Sequence, residues 1–190
     1  MKNRWFFVLF LVLLALTLVP AFGQQNGGPA GPILNHYAAR NFIAGSIPRG
    51  DLDLILRAGI RAPSAGNRQP WFFTVVQNQN LAQRIVPNNV DGNVLIVISA
   101  AGDGKTNGSA ILDCALATES VYLAAQALGY GSRIYTGPMD ALNRDLKAEL
   151  GLPGGYSAVA LVRIGRVQSG VDAVSAASSR KTPDSLINYR

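Results

Sequence analysis

The eleven residues from Arg61 to Trp71 have the types and spacing best suited to ligand chemistry. They read Arg61-Ala62-Pro63-Ser64-Ala65-Gly66-Asn67-Arg68-Gln69-Pro70-Trp71. Both prolines lack an amide donor and Gly66 permits a left-handed backbone, so we predict an irregular loop. Such a loop exposes backbone amides and directional side chains, which suit the polar edge of a ring or a polyol chain. The alternative is an ordinary turn. The side chains concerned are those of Ser64, Asn67, Arg68 and Gln69.

Cysteine and histidine are too scarce for several common kinds of site. Cys114 is the only cysteine and His36 the only histidine, which excludes an internal disulfide, a multi-cysteine metal site and a two-histidine site. Cys114 lies in an apolar helical pattern, so we predict a buried structural thiol. The net charge of +6 comes from scattered residues rather than a run, and it does not indicate nucleic-acid binding. It suits a phosphate-bearing ligand as well as a solvated surface.

The first 23 residues have the layout of a secretory signal peptide. A basic start precedes an apolar stretch over residues 5–19, and Ala21 and Gly23 form a small-x-small cleavage site. The apolar stretch is short of the about 20 residues that a membrane-spanning helix needs. We therefore predict export to a periplasmic or other extracytoplasmic location, with an uncleaved membrane anchor as the alternative. Residues 24–33, rich in Gly, Gln and Pro, are predicted to be a flexible tether.

The remaining residues, 34–190, are predicted to form one α+β domain in which helices pack on a sheet. Helices are expected over residues 34–42, 52–59, 81–86, 109–128 and 139–150. Strands are expected over residues 71–77, 94–98, 132–136 and 158–164. The helix over residues 109–128 is apolar around much of its circumference, which is typical of a helix in a large core or a subunit interface. A chain of this size has a limited core, which favours the interface.

The loop and four other segments resemble the nitroreductase family. Its residues 62–71, followed by Phe72-Phe73-Thr74-Val75-Val76, look like the family hallmark. Residues 39–42, 47–48, 123–132 and 179–183 are similar to further family stretches, so the resemblance runs from about His36 to the C-terminus. It implies an α+β homodimer with FMN at the subunit interface. It also implies hydride transfer from NAD(P)H through the flavin to nitroaromatics, quinones or similar acceptors.

The resemblance assigns roles to individual residues of this chain. Arg40 stands where the family places a cation near flavin N1 and the C2 carbonyl. Arg180, helped by Lys181, stands where the family binds the FMN phosphate. The partner subunit would contribute contacts to the ring or ribityl chain through Pro63, Ser64, Asn67 and Gln69. A short segment after a strand, Thr136 and Gly137, would present its backbone to flavin N5. No side chain is assigned a catalytic or metal-binding role.

Two residues depart from the family pattern at the phosphate end. His36 and Ala38 stand where the family has an arginine and a serine. A charge-assisted hydrogen bond is worth about 1.5–3 kcal/mol, so losing one would weaken FMN binding roughly tenfold or more. A short loop over residues 101–109 implies a more open site. A second hypothesis is therefore an exported flavin-binding or flavin-free module without catalysis, and a third is flavin fragmentation.

Overall fold

The computed structural model describes residues 30–102, 108–168 and 180–190. The chain divides into a larger unit, residues 36–190, and a smaller one, residues 1–35. The described part of the smaller unit contains the short helix α1, Gly31–Leu34. The predicted signal peptide, residues 1–23, lies outside the described residues. Within the described ranges, no helix is both long and apolar enough to cross a membrane.

The larger unit contains a five-stranded antiparallel sheet with helices on both faces, so the predicted α+β class is confirmed. β5 lies between β3 on one side and both β1 and β4 on the other, and β2 pairs with β3. The strands are β1 Phe42–Ile43, β2 Trp71–Val76, β3 Val94–Ala101, β4 Gly131–Tyr135 and β5 Tyr156–Val167. The remaining helices are α2 Arg49–Ile60, α3 Gln79–Ile85, α4 Gly108–Ala127 and α5 Met139–Ala141, which continues as a π-helical turn over Leu142–Leu146.

β3 is an almost continuous apolar run, and β5 is mainly apolar over residues 158–164, because helices cover both faces of the sheet. Alternate residues along each strand point to opposite faces. On one face, side chains such as Ile96 and Val162 pack against α2 and α4. On the other face, Leu95 and Leu161 pack against α3 and the π-helical turn. The sheet therefore gives α4 a fixed platform.

The helix predicted over residues 34–42 is wrong beyond α1, because residues 36–40 are irregular and residues 42–43 belong to β1. The side chain of Gln126 on α4 binds both backbone groups of Tyr37: Oε1 accepts from the N–H at 3.1 Å and Nε2 donates to the carbonyl at 2.9 Å. The Ala39 N–H donates to the Ser132 carbonyl at 3.0 Å. Hydrogen bonds to distant residues thus replace those of a local helix.

A buried arginine fixes the strand that follows this stretch. Arg163 on β5 is 1% exposed, and its guanidinium lies 4.1 Å from the centre of the Phe42 ring. Its Nε donates to Asn93 Oδ1 at 3.0 Å, and its terminal nitrogens donate to Asn88. The buried cation is therefore met by an aromatic face and by amide oxygens. These contacts anchor β1, and with it the chain immediately after Arg40.

Candidate functional site

The loop between α2 and β2 is irregular, as predicted, except for one short 3-10 turn over Ala65–Asn67, and it is shaped by three left-handed residues. Gly66, Asn67 and Gln69 have φ values of +59°, +53° and +48°. Two of them carry side chains, for which this conformation is uncommon and costs about 1–3 kcal/mol each. The Gln69 N–H donates to Ser64 Oγ at 3.0 Å, and the Asn67 N–H donates to the Ser64 carbonyl at 2.9 Å. These bonds offset part of that cost.

The loop presents its polar side chains at the surface. Asn67 and Gln69 are exposed, and Gln69 Nε2 donates to Asn67 Oδ1 at 3.2 Å. Pro63 is exposed as well, whereas Ser64 is half-buried and its hydroxyl accepts the bond from the Gln69 N–H. The side chains of Asn67 and Gln69 therefore form one polar edge, with the amide groups already oriented.

A buried carboxylate on α4 attaches the loop to the domain. The Ala65 N–H donates to Asp113 Oδ1 at 3.0 Å, and Asp113 is only 4% exposed. The sequence reasoning missed this residue. Its signal was an acidic side chain within an otherwise apolar helical segment, since such a residue is almost never buried without a partner.

The histidine that departs from the family pattern and the predicted phosphate-binding arginine share one neighbour. The His36 ring meets the Tyr122 ring edge-on, with 5.6 Å between centroids. Burial raises the pKa of the Tyr122 phenol, and the nearby Arg180 cation opposes that rise. The Tyr122 side chain thus meets the His36 ring and lies within electrostatic reach of the Arg180 cation. Lys181 is exposed next to Arg180, and Arg40 is exposed at the end of the irregular stretch.

A cavity of about 350 Å³ opens between α4, β4 and β5. We call it the α4–β4 cavity. Its volume lies within the range of about 300–1,000 Å³ that is usual for small-molecule sites. Most of the lining is apolar, with one carboxylate and two hydroxyls. The lining residues are Ile111, Ala115, Thr118, Glu119, Ile134, Thr136, Val159 and Ala160. Thr136, predicted to face flavin N5, is thus part of the wall, and Gly137 is exposed beside it.

The α4–β4 cavity and the Tyr122 side chain lie along one face of α4. Ala115, Glu119 and Tyr122 are spaced by four and three residues, which places them on the same side of a helix. The Ser132 hydroxyl at the start of β4 donates to the Tyr122 carbonyl, and Thr136 follows the end of β4. At 1.5 Å per residue, Tyr122 and Ala115 are about 10 Å apart. The arrangement suits an elongated ligand with an anionic end and a flat ring.

The loop is anchored on the other side of this helix. Ile111 and Ala115 line the cavity, whereas Asp113 lies between them in sequence. Each helical residue turns by about 100°, so Asp113 points away from the cavity. One chain thus has His36 beside Tyr122 at one end of this α4 face and Thr136 at the other. It holds Ser64, Asn67 and Gln69 from the opposite side of α4.

Helix α4 also keeps large apolar side chains on its outer surface. Leu112 is 63% exposed and Leu116 is 40% exposed, and they lie one turn apart. Contiguous exposed apolar side chains mark interaction surfaces more often than isolated ones. Leu112 precedes Asp113, so this outer surface adjoins the place where the loop is attached.

Cys114 is a buried structural thiol, as predicted. It is fully buried, and its sulfur faces the Ser99 carbonyl. Burial raises the pKa of the thiol to about 12, and the adjacent Asp113 carboxylate adds to the rise. The thiolate needed for nucleophilic chemistry is therefore absent at neutral pH. The described residues also contain no cluster of His, Cys, Asp or Glu that could hold a metal ion.

Comparisons with known proteins bear on the family and the fold. The nitroreductase family model matches residues 33–93 and 89–166. A protein of Archaeoglobus fulgidus, provisionally named as an NADH dehydrogenase/NAD(P)H nitroreductase, is 33% identical over 146 residues, which cover 72% of this chain and 83% of that protein. A nitroreductase with bound FMN from Desulfitobacterium hafniense has 26% identity and a TM-score of 0.64, with 84% of this chain and 96% of that chain covered.

A second FMN-bound nitroreductase structure, from Bacteroides fragilis, supports the fold. Its identity is 23% and its TM-score is 0.67, with coverage of 84% of this chain and 96% of that chain. The sheet order and the packing of helices on both of its faces are therefore those of an established fold.

Proposed function

Because this chain belongs to the nitroreductase family, we propose that it is an FMN-dependent oxidoreductase. It would take electrons from NAD(P)H or another donor and pass them to nitroaromatics, quinones or similar acceptors. The observation that carries this proposal is the α4 face, where the α4–β4 cavity with Thr136 lies in line with Tyr122 and its neighbour His36. FMN supplies the hydride chemistry when bound, and the protein supplies position and charge.

The residues along α4 would suit FMN in shape and, apart from the Glu119 carboxylate, in charge. The apolar walls of the α4–β4 cavity suit a flat ring, and the Thr136–Gly137 backbone follows directly from the edge strand β4. At the other end, Arg180 and Lys181 would hold the phosphate, since guanidinium and ammonium groups form charge-assisted bonds to phosphate oxygens. Arg40 is exposed at the end of a stretch that Gln126 holds in place. Its cation would stabilise negative charge on the reduced ring.

A homodimer through α4 would complete the site. The outer surface of α4 carries Leu112 and Leu116, and the loop is attached beside it at Asp113. Pairing two such surfaces would bring each loop to the other chain. Pro63, Ser64, Asn67 and Gln69 would then reach the α4–β4 cavity of the partner subunit. This arrangement explains why one chain holds the two halves of the site on opposite sides of α4.

Light scattering on the purified protein tests the dimer. Leu112→Glu places a charge on the outer surface of α4 and should give a monomer. Leu54→Glu is the matched control, because Leu54 is also exposed, at 51%, but belongs to α2 rather than to α4. A monomeric wild-type protein, or a Leu112→Glu variant that stays dimeric, would contradict the proposed interface.

The visible spectrum of the purified protein, with FMN added, tests the cofactor. We expect flavin absorbance that bleaches when NADPH or dithionite is added without oxygen. Arg180→Ala should raise the Kd for FMN about tenfold or more, the effect of one charge-assisted bond. Arg144→Ala is the control, because Arg144 is an exposed arginine paired with Asp145. A colourless protein that takes up no FMN would refute the proposal.

The alternative is a flavin-binding module without catalysis, and His36 with Ala38 is the observation that favours it. In this chain His36 packs edge-on against Tyr122, and Ala38 has no polar side chain. Single-turnover reduction distinguishes the two hypotheses. An enzyme is reduced by a donor and reoxidised by a quinone, whereas a module binds FMN whose reduction is no faster than that of free FMN.

We also propose that the protein is exported, because residues 1–23 have the layout of a signal peptide. Sequencing the N-terminus of the protein recovered from an extracytoplasmic fraction tests this. Cleavage after Gly23 is expected. An intact Met1 in the membrane fraction would indicate an anchor instead. Export would separate the enzyme from cytoplasmic NAD(P)H and would favour another electron donor.

A further inference from the structure

We propose that Asp113 is a positioning residue for the flavin site. Its buried carboxylate would hold the loop in the left-handed form that presents Asn67 and Gln69 to the cofactor. This inference rests on the proposed FMN function. It concerns a residue of α4 that faces away from the α4–β4 cavity and would act only through the loop.

The described hydrogen bonds of the loop are mostly internal, and one of them reaches α4. Between Ser64 and Gln69, the other described hydrogen bonds join loop residues to one another. The bond from the Ala65 N–H to Asp113 Oδ1, at 3.0 Å, joins the loop to α4. The residues with positive φ begin immediately after Ala65. The bond to Asp113 therefore fixes the residue from which the left-handed turn starts.

A buried carboxylate at position 113 costs free energy unless it has a hydrogen-bond partner. Asp113 is 4% exposed, and its neighbour Cys114 is fully buried in the apolar core. Burying a carboxylate is unfavourable unless it is hydrogen-bonded. Asp113 is the sixth residue of α4, beyond the first turn whose free amides an acidic side chain would cap. Its described bond to Ala65 gives a reason for an acid here.

Two residues of the loop have a strained backbone conformation. Asn67 and Gln69 hold φ values of +53° and +48°, which side chains seldom adopt. Without the bond to Asp113, the loop would relax toward right-handed conformations and move its polar edge. Flavin binding would then have to reorder the loop, so affinity should fall while the sheet and helices stay folded.

Titration of the apo protein with FMN, followed by flavin fluorescence, tests the inference. Asp113→Ala removes the acceptor and should raise the Kd about tenfold or more. Asp113→Asn keeps an Oδ1 acceptor and should stay within about threefold of wild type, less than one lost hydrogen bond. Cys114→Ala is the matched control, because it removes a buried group from the neighbouring position without touching the loop. It should leave the Kd unchanged.

Several results would overturn the inference. They are an unchanged Kd in Asp113→Ala, or a loss in Asp113→Asn as large as in Asp113→Ala. If Cys114→Ala weakens FMN binding in proportion to its own loss of thermal stability, the weaker binding of Asp113→Ala would be assigned to general packing. If Asp113→Ala fails to fold, hydrogen exchange of the wild-type protein tests the inference instead. The Ala65 amide should be protected from exchange, and rapid exchange there would refute its bond to Asp113. A wild type that binds no FMN fails the proposed function itself.

Discussion

Gly59 lies where α2 meets α4, and we predict that Gly59→Ala destabilises the protein. A Cβ at this position would lie 2.7 Å from Val121 Cγ2 and 3.1 Å from the nearest atom of the Phe73 ring. Val121 is fully buried, and a β-branched side chain on a helix has one strongly preferred rotamer. The clash therefore has to be relieved by moving α2 away from α4.

Two effects of opposite sign determine how far Gly59→Ala changes the free energy of unfolding. Alanine is favoured over glycine inside a helix by up to about 1 kcal/mol, and less near the helix end. Overpacking a filled core costs about 1–3 kcal/mol. The clash exceeds the propensity gain, so we expect a net loss of about 1–2 kcal/mol in the free energy of unfolding, or about 2–8 °C in Tm for a domain of this size.

Urea and thermal denaturation of two alanine variants of α2 measure this effect. Gly50→Ala is the matched control, because Gly50 lies in the same helix and a Cβ there meets nothing within 4 Å. It should be neutral or slightly stabilising. If the contact with Val121 is the cause, adding Val121→Ala to Gly59→Ala should cost less than the sum of the two single changes. A Gly59→Ala variant as stable as Gly50→Ala would refute the reasoning.

Three further predictions concern the site and its surroundings. Arg40→Ala should slow flavin reduction in a stopped-flow experiment, because a cation beside the reduced ring is lost, and unchanged kinetics would remove Arg40 from this role. His36→Arg should tighten FMN binding by about tenfold through one restored charge-assisted bond, which a titration would detect, and an unchanged Kd would argue against a phosphate at this end. Burial, together with the hydrogen bond that the Tyr130 hydroxyl donates to Asp51, raises the pKa of Tyr130 to about 12, from about 10 in the unfolded state. Above pH 10 the folded state therefore keeps a proton that the unfolded state loses. Stability should therefore fall between pH 10 and pH 12, and Tyr130→Phe should reduce that slope in urea titrations; an identical slope would contradict the assignment.

The elements that could be predicted from the sequence are those with strong local signals. The prolines around Gly66 ruled out regular structure in the loop, and the apolar run that begins at Val94 indicated a strand covered on both faces. The strands and the long helix consequently agree with prediction to within a few residues at most ends. The helix predicted over residues 139–150 is different, because only Met139–Ala141 is α-helical before the π-helical turn.

The parts that could not be predicted depend on contacts between distant residues. The irregular stretch from His36 to Arg40 takes its shape from Gln126 and Ser132, which lie about 90 residues further along the chain. The bond between Ala65 and Asp113 likewise spans 48 residues. A local pattern reports propensity, whereas these segments are fixed by hydrogen bonds that exist only after α4 has packed on the sheet.

Helix α4 explains why the sequence motif and the cavity are separated within one chain. One of its faces lines the α4–β4 cavity, another receives the Ala65 amide at Asp113, and its outer surface exposes Leu112 and Leu116. A flavin site confined to one chain would need the loop and the cavity on the same side of the helix. Their opposite placement makes sense if the outer surface of α4 is the proposed subunit interface, because each loop then serves the other chain's cavity. Dimer formation and flavin affinity should consequently be coupled: a change that separates the subunits would remove Ser64, Asn67 and Gln69 from the site without altering any of them.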